Sequence, residues 1–196
     1  MGLSKNARTA IGFVIALIVA LTAATVVALI LVVSPTSSAP THAAAARVSR
    51  CFASQLTVAP GPGSGAAGSV GQVVHFTNHS HSSCTLSGYP GMQMLGSAGK
   101  PLATEVHRGS SVTVPALAVR LVTLRPAGKA SFNLGYADAT GYGNERCPTS
   151  TRVEITAPND YKPLTIVWRI QPYGGDIPHL ECGEITVSPV FAGAGS

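Results

Sequence analysis

The sequence predicts an all-β domain, an immunoglobulin-like antiparallel β-sandwich, that is preceded by one N-terminal transmembrane helix. Short β-branched runs recur between turn residues along residues 51–190, as they do in β-sandwiches. No stretch of that region keeps apolar residues at helical spacing over three turns, and it holds 17 of the chain's 21 Gly and 12 of its 14 Pro, which leave little room for a helix. The helix is predicted elsewhere, because the 24 residues 10–33 carry no charge.

The uncharged run AIGFVIALIVALTAATVVALILVV is long enough to cross a membrane. At about 1.5 Å of rise per residue it forms a helix of roughly 36 Å, and a bilayer hydrocarbon core measures about 30 Å. A cleaved signal peptide has a shorter apolar core of about 7–15 residues. We therefore expect a retained single-pass anchor, with secretion after cleavage as the alternative.

Positive charge on one side of the run predicts its orientation. Lys5 and Arg8 precede it, whereas residues 34–46 after it are uncharged, and positive flanks stay in the cytoplasm. The following stretch is rich in Ser, Pro, Thr and Ala and reads as a flexible linker. The predicted organisation is a cytoplasmic N-terminus (residues 1–9), a transmembrane helix (10–33), a linker (34–50), an extracytoplasmic domain (51–190) and a tail (191–196).

The net charge of +5 does not indicate a nucleic-acid-binding surface. Residues 1–50 hold four basic residues and no acidic one, whereas the rest of the chain holds nine basic and eight acidic residues. Most of the excess positive charge therefore lies beside the predicted membrane helix. The external domain has no Lys/Arg cluster of the kind that binds a phosphate backbone, so no nucleic-acid partner is expected.

Nine strands are predicted from alternation and β-branched residues. In the second of them, Val74 and Phe76 share one face and His75 lies on the other. Trp168, on the same face as Ile166 and Ile170, is expected in the core. The predicted strands are Gln55–Val58, Gln72–Thr77, Met92–Leu95, Val112–Val114, Arg120–Leu124, Ser131–Tyr136, Arg152–Thr156, Leu164–Ile170 and Glu184–Val190.

Four cysteines, all on the far side of the apolar run, predict two disulfides in an oxidising compartment. They are Cys51, Cys84, Cys147 and Cys182, and none has the C-x-x-C spacing of a zinc or redox site. Three connectivities are possible. Nearest-neighbour pairing would close two loops of about 35 residues, each worth roughly 4 kcal/mol in the chain-entropy model.

Two short motifs match catalytic signatures only in their letters. Residues 63–68 read G-x-G-x-x-G, but they lead into a strand and not into a helix N-terminus, so we expect a loop. Residues 97–100 read S-x-x-K, but Gly96, Gly99 and Pro101 describe a hairpin turn. No paired carboxylates or nucleophile elbow occur, so we expect neither an enzyme nor a cofactor.

Three histidines close together are the one constellation with possible chemistry. His75, His79 and His81, with His107 elsewhere, are candidate ligands for Zn²⁺ or Cu²⁺, since neutral imidazole binds both. The same stretch is rich in turn-forming Asn and Ser, so exposed turn histidines are the more ordinary reading. Asn78 also opens an N-x-S glycosylation sequon.

Several segments together resemble a known family. They are Cys51, GAAGSVG (65–71), HFTNHSHSSCTLSGYPGM (75–92), VTLRPAGKASFNLGY (122–136), Cys147 and CGEITVSP (182–189). In combination they resemble the actinobacterial domain of unknown function DUF4232, a secreted or membrane-anchored β-sandwich module. The resemblance implies disulfides Cys51–Cys84 and Cys147–Cys182, and it implies no catalytic residues.

These observations favour a binding role over a catalytic one. We expect a domain, held on the cytoplasmic membrane by residues 10–33, that binds an envelope protein, a glycan or a small ligand through its loops. The alternative is an extracytoplasmic metal-binding protein or hydrolase that uses His75, His79 and His81.

Overall fold

A computed structural model of the chain describes residues 48–66, 68–137, 147–168 and 180–195. The predicted cytoplasmic N-terminus, the transmembrane helix and most of the linker lie outside these residues. Within the described ranges, no helix is long and apolar enough to span a bilayer.

The described residues form an all-β fold with one short 3₁₀ helix, Ala53–Gln55. Its strands are β1 (Leu56–Ala66), β2 (Ser69–Asn78), β3 (Cys84–Leu86), β4 (Gly91–Leu95), β5 (Glu105–Arg108), β6 (Val122–Leu124), β7 (Lys129–Ala137), β8 (Thr149–Ser150), β9 (Arg152–Thr156), β10 (Pro163–Val167), β11 (Leu180–Glu181), β12 (Glu184–Val187) and β13 (Phe191–Ala192).

The largest sheet has the order β1, β2, β7, β12, β5, and β13 also pairs with β7. At its centre, β2 and β7 run antiparallel in unbroken register from the pair Ser69 and Ala137 to the pair Thr77 and Lys129. At one edge, β12 and β5 run parallel. The prediction of a purely antiparallel sandwich is therefore wrong there, because β5 and β12 are joined by a long path through other strands and not by a hairpin.

Three smaller sheets complete the fold. One has the order β10, β9, β4, and the other two pair β3 with β6 and β8 with β11. A single core cluster takes buried side chains from both the largest sheet and the β4–β9 sheet. The two sheets thus enclose one core between them, which is a sandwich-like arrangement.

The predicted faces of the strands are confirmed where they are described. Val74 and Phe76 are fully buried, while His75 is only half-buried on the opposite face of β2. Trp168 is fully buried, and Ile166 packs against the core beside it. Ile170 lies outside the described residues.

Several predicted strand limits are wrong. Residues 112–114 form a bend, the strand predicted from Arg120 begins only at Val122, and the last two long strands end at Val167 and Val187. The sequence also gave no sign of the short strands β3 and β5. Residues 191 and 192, expected in a tail, pair with β7 as β13.

β1 is much longer than predicted, and it includes most of the stretch that we expected to be a loop. Gly63 pairs with Gln72 and Gly65 with Val70, after a bulge that follows Pro60. Proline is tolerated here because β1 is the edge strand of its sheet, where one row of N–H groups has no partner strand.

Two disulfides tie the chain, Cys51 to Cys84 and Cys147 to Cys182. The family resemblance implies the same pairing. The first bridge lies beside backbone hydrogen bonds from Cys51 N to Thr85 O and from Thr85 N to Ser49 O, each 2.9 Å. These bonds form one isolated parallel bridge, between Arg50 and Thr85, that holds the start of the domain against β3.

Asn78 is the buried polar residue that joins the end of β2 to the end of β6. Its side-chain amide donates to Ser82 O at 2.8 Å, to Leu124 O at 3.1 Å and to Arg125 O at 3.3 Å. Its side-chain oxygen accepts from the N–H and the hydroxyl of Ser80 at 3.0 and 2.7 Å. Because Asn78 is fully buried, the folded domain cannot present this sequon for glycosylation.

The backbone of Asn78 makes the same connection. Asn78 N donates to Gly128 O at 3.0 Å, and Ala127 N donates to Asn78 O at 2.8 Å. Ala127 adopts a left-handed φ of 60°. A Cβ at Gly128 would lie 2.8 Å from Arg125 O, so this turn requires glycine there.

Replacing Asn78 with Ala should destabilise the full chain by about 2–4 kcal/mol, because one buried and several part-buried hydrogen bonds to carbonyls and to Ser80 are lost together. For a domain of this size we expect the Tm to fall by roughly 10 °C, measured by circular dichroism. Asn78→Asp, which keeps the shape but loses both donors, should be at least as destabilising.

The matched control is Ser82→Ala, because Asn78 bonds only the backbone carbonyl of exposed Ser82. A Tm for Asn78→Ala within 2–3 °C of the Ser82→Ala value, a range set by about 1 kcal/mol for a domain of this size, would contradict the role assigned to Asn78.

Candidate functional site

The structure does not bring the predicted histidine cluster together. His75 lies in the middle of β2, whereas His79 and His81 are exposed in the turn that follows it. His107 lies on β5, where its Nε2 is 3.6 Å from Glu105. Among the described residues, no group of three or more His, Cys, Asp or Glu side chains is arranged to hold a metal ion.

His75 instead forms a histidine–serine pair with Ser131 of β7. The Ser131 hydroxyl donates to Gly193 O at 2.6 Å, so we assign the 2.9 Å contact as a hydrogen bond from His75 Nδ1 to Ser131 Oγ. Ser131 is fully buried, and its proton points to a backbone carbonyl. The pair therefore fastens the C-terminal segment to the sheet and has no geometry for nucleophilic attack.

The surroundings of His75 favour its neutral form. Burial lowers the pKa of His75, and the positive charge of Lys129 lowers it further. The imidazole lies against Gly61, where a Cβ would be only 2.2 Å from Nε2. Glycine at this position therefore makes room for the ring.

Residues 111–114 form a strap across the outer face of the largest sheet. The ends of the strap are joined by backbone hydrogen bonds between Ser111 and Val114, and Thr113 Oγ1 donates to Val70 O at 3.3 Å. Val114 is only 1% exposed, although it is not a member of the main core cluster.

Two paired glycines make room for this strap. Gly71 and Gly135 are direct partners in the β2–β7 register. A Cβ on Gly135 would lie 2.6 Å from Thr113 Oγ1 and 2.7 Å from Val114 Cγ2, and one on Gly71 would lie 3.1 Å from Thr113 Cβ. The strap can lie this close to the sheet only because both positions lack a side chain.

Two small clefts flank Thr113. One, of about 170 Å³, is lined by residues that include His107, Tyr136 and Glu184. The other, of about 180 Å³, is lined by residues that include Ser64, Gln72 and Asn133. Both are smaller than the roughly 300 Å³ of an ordinary small-molecule site.

The second cleft includes a buried polar group. Gln72 is 2% exposed, and its amide donates to Gly61 O and Val73 O. Its oxygen has no partner in the described part of the chain. Because this oxygen is fully enclosed, a ligand in the cleft would not reach it.

A further exposed feature is the segment that follows the strap, residues 115–121, PALAVRL, which we call the exposed ribbon. All seven residues are exposed, and the chain runs through them without a turn or bend. Leu117, Val119 and Leu121 are 38%, 51% and 70% exposed. Contiguous exposed apolar side chains of this kind typically mark an interaction site.

The exposed ribbon is fixed at both ends although its own backbone is unpaired. Val114 is buried before it, and Val122 and Leu124 of β6 are buried after it. Residues 115–121 make no backbone hydrogen bond to any other residue that the structure describes. The described part of the fold thus holds a bend-free stretch of main chain at its surface without pairing it to another described strand.

The part of the sequence that contains the exposed ribbon is cationic. Residues 106–137 contain Arg108, Arg120, Arg125 and Lys129 and no Asp or Glu. Sequence reasoning missed this site because Arg120–Leu124 was predicted as one strand of the sandwich. The alternation of Leu117, Val119 and Leu121 was the available signal.

The remaining motifs have structural roles. Residues 97–100 form the predicted turn, with Gly96 N donating to Lys100 O and Gly99 N donating to Gly96 O, both at 2.8 Å. At the Gly88–Gly91 corner, Gly88 adopts a φ of 107°, and its carbonyl accepts from Val190 N at 2.9 Å.

Comparison with known proteins gives one match. A family model described as "Domain of unknown function (DUF4232)" matches residues 51–190. No curated protein and no solved structure matches the chain.

The stability of the domain should fall as the pH decreases below about 6.5. The pKa of His75 is lowered in the folded state. As the pH falls, the unfolded chain therefore binds a proton on His75 at a higher pH than the folded chain does, and this proton stabilises the unfolded state. The free energy of unfolding, measured with urea, should be lower at pH 5.5 than at pH 7.5. The difference between the two pH values should be smaller in His75→Gln. If His75→Gln showed the same pH dependence as the wild type, His75 would not be the group responsible for it.

Gly135→Ala should destabilise the domain by about 1–3 kcal/mol, because the new methyl group displaces the strap. Gly65→Ala is the matched control, since its Cβ would meet nothing closer than 3.9 Å. Urea unfolding that gave equal stabilities for the two variants would contradict the close approach of the strap.

Proposed function

The chain belongs to the family described as domain of unknown function DUF4232, and because that description assigns no activity, we propose from its structure that it is a non-catalytic binding module. In this proposal an immunoglobulin-like β-sandwich is tethered outside the cytoplasmic membrane by residues 10–33 and the linker 34–50. The exposed ribbon is the surface that binds a partner.

The observation that carries the proposal is the exposure of seven consecutive residues on a rigid scaffold. An unbound protein gains nothing from holding Leu117, Val119 and Leu121 in water, since burial of one such side chain is worth about 1.5–3 kcal/mol. A partner that covers them recovers this free energy. Binding segments are commonly loops that a rigid scaffold positions.

The alternative, a metal-binding protein or hydrolase that uses His75, His79 and His81, has less support. His75 is hydrogen-bonded to Ser131 on the sheet, away from the exposed turn that holds the other two. Ser131 itself is inaccessible. The binding proposal does not depend on a metal ligand or a nucleophilic side chain.

The proposed location rests on charge and cysteine chemistry. Lys5 and Arg8 precede the apolar run, which favours a cytoplasmic N-terminus. All four cysteines are paired, which suits an oxidising compartment outside the cytoplasm. Secretion after cleavage would place the same domain outside the cell without the tether.

Photo-crosslinking in intact cells tests the binding surface. A photoreactive amino acid at Val119 should give a discrete adduct with another envelope component. The same amino acid at Val167, an equally apolar residue on β10 with 56% exposure against 51% for Val119, should not. No adduct at Val119, or the same adducts at both positions, would contradict the proposal.

Protease treatment of intact cells tests the topology. A C-terminal tag should be digested while the cells remain intact, and the mass of the untreated protein should include residues 1–33. A protected tag would overturn the proposed orientation. A mass without residues 1–33 would show that the domain is released after cleavage and is not tethered.

A further inference from the structure

We propose that the exposed ribbon binds an extended segment of a partner protein by strand addition, and that this segment alternates apolar with acidic residues. This rests on the proposed binding function and goes beyond it, because it names the mode of binding and the chemistry of the partner.

The backbone of the exposed ribbon supports strand addition. Residues 115–121 run straight into β6, whose pairing with β3 begins at Val122. Apart from Pro115, each residue of the ribbon has a main-chain N–H, and none of its N–H and C=O groups is paired with the described residues. Such an unpaired edge is a template for another strand.

The side chains give the partner its apolar character. In the extended conformation that strand addition requires, successive side chains point to opposite sides, so Leu117, Val119 and Leu121 would share one side of the ribbon. Ala116 and Ala118 on the other side are small. A partner strand with β-branched residues at alternate positions would cover the three large side chains through cross-strand pairs, each worth about 0.2–1 kcal/mol.

Charge complementarity gives the partner its acidic character. Arg120 lies within the exposed ribbon, and Arg108, Arg125 and Lys129 flank it in sequence, with no acidic residue from 106 to 137. Oppositely charged residues on a partner strand are favoured beside these cations, and like charges are disfavoured.

The same charge argues against a second copy of this chain as the partner. Two copies of the ribbon would bring Arg120 and its cationic neighbours together. An acidic strand from another protein avoids the repulsion.

Fixation of the exposed ribbon at both ends lowers the cost of binding. Val114 is held over Gly135, and Leu124 O accepts a hydrogen bond from Asn78. The main chain is therefore already straight before a partner arrives, so less conformational entropy is lost on association.

Selection from a phage-displayed library of random 12-residue peptides against the full chain in detergent micelles tests the partner chemistry. The enriched peptides should alternate Val or Ile with Asp or Glu. Enrichment of basic or proline-rich peptides, or of none, would overturn the proposal. A dimer in light scattering that Val119→Pro abolishes would also overturn it, in favour of self-association.

Four variants then test the mode of binding with the best enriched peptide, by fluorescence anisotropy. Neighbouring amides of a strand point to opposite edges, so Ala118→Pro and Val119→Pro should weaken binding unequally, one of them by at least tenfold. Val119→Thr keeps the N–H and should cost less than that proline. Arg120→Glu should weaken the acidic peptide at least fivefold, and raising the salt concentration should weaken wild-type binding.

Equal effects of the two prolines, or no effect of Arg120→Glu, would overturn strand addition to an acidic segment. If either proline variant fails to fold, Val119→Thr and Arg120→Glu still decide the result. An adduct at Val119 in cells together with failure of these peptide tests would leave the binding function standing and remove only the proposed mode.

Discussion

The hydrogen bonds of Asn78 are the constraint on which the rest of the structure depends. One buried side chain connects the end of β2, the turn before β3 and the end of β6, through carbonyls of Ser82, Leu124 and Arg125. Buried polar groups of this kind are costly unless all are satisfied, so they specify one arrangement of the chain around them. Asn78 lies in FTN, and two of its partners, Leu124 and Arg125, lie in LRPAG, so two distant parts of the family pattern meet at this residue.

A second constraint acts at the other end of the same surface segment. The pairing of Gly71 with Gly135 leaves the outer face of the sheet without side chains at one point, and Thr113 and Val114 occupy that space. The exposed ribbon runs from this strap to the end of β6, where Asn78 binds. Its straightness therefore results from packing and hydrogen bonds at its two ends, whereas its middle contributes exposed apolar side chains to the surface.

The sequence was sufficient where a pattern is local. Alternation predicted the buried faces of β2 and β10, and glycine and proline predicted the turn at residues 97–100. It was insufficient where a residue's role depends on a distant neighbour. Val112–Val114 has the residues of a strand, but the strap lies on glycines that only strand pairing brings together. His75 was a candidate ligand in the sequence, whereas the structure places it against Ser131, which is bonded to Gly193, and the sequence pattern alone did not show that Asn78 of the sequon is buried.

The central claim is that the free protein leaves the main chain of residues 115–121 unpaired between two fixed ends. Hydrogen–deuterium exchange of the full chain measures this directly, because paired amides exchange slowly and unpaired exposed amides exchange fast. The account predicts fast exchange for the amides of residues 116–121 and slow exchange for those of β2 and β7. Slow exchange throughout residues 116–121 in the free protein would contradict it, because the exposed ribbon would then already be paired.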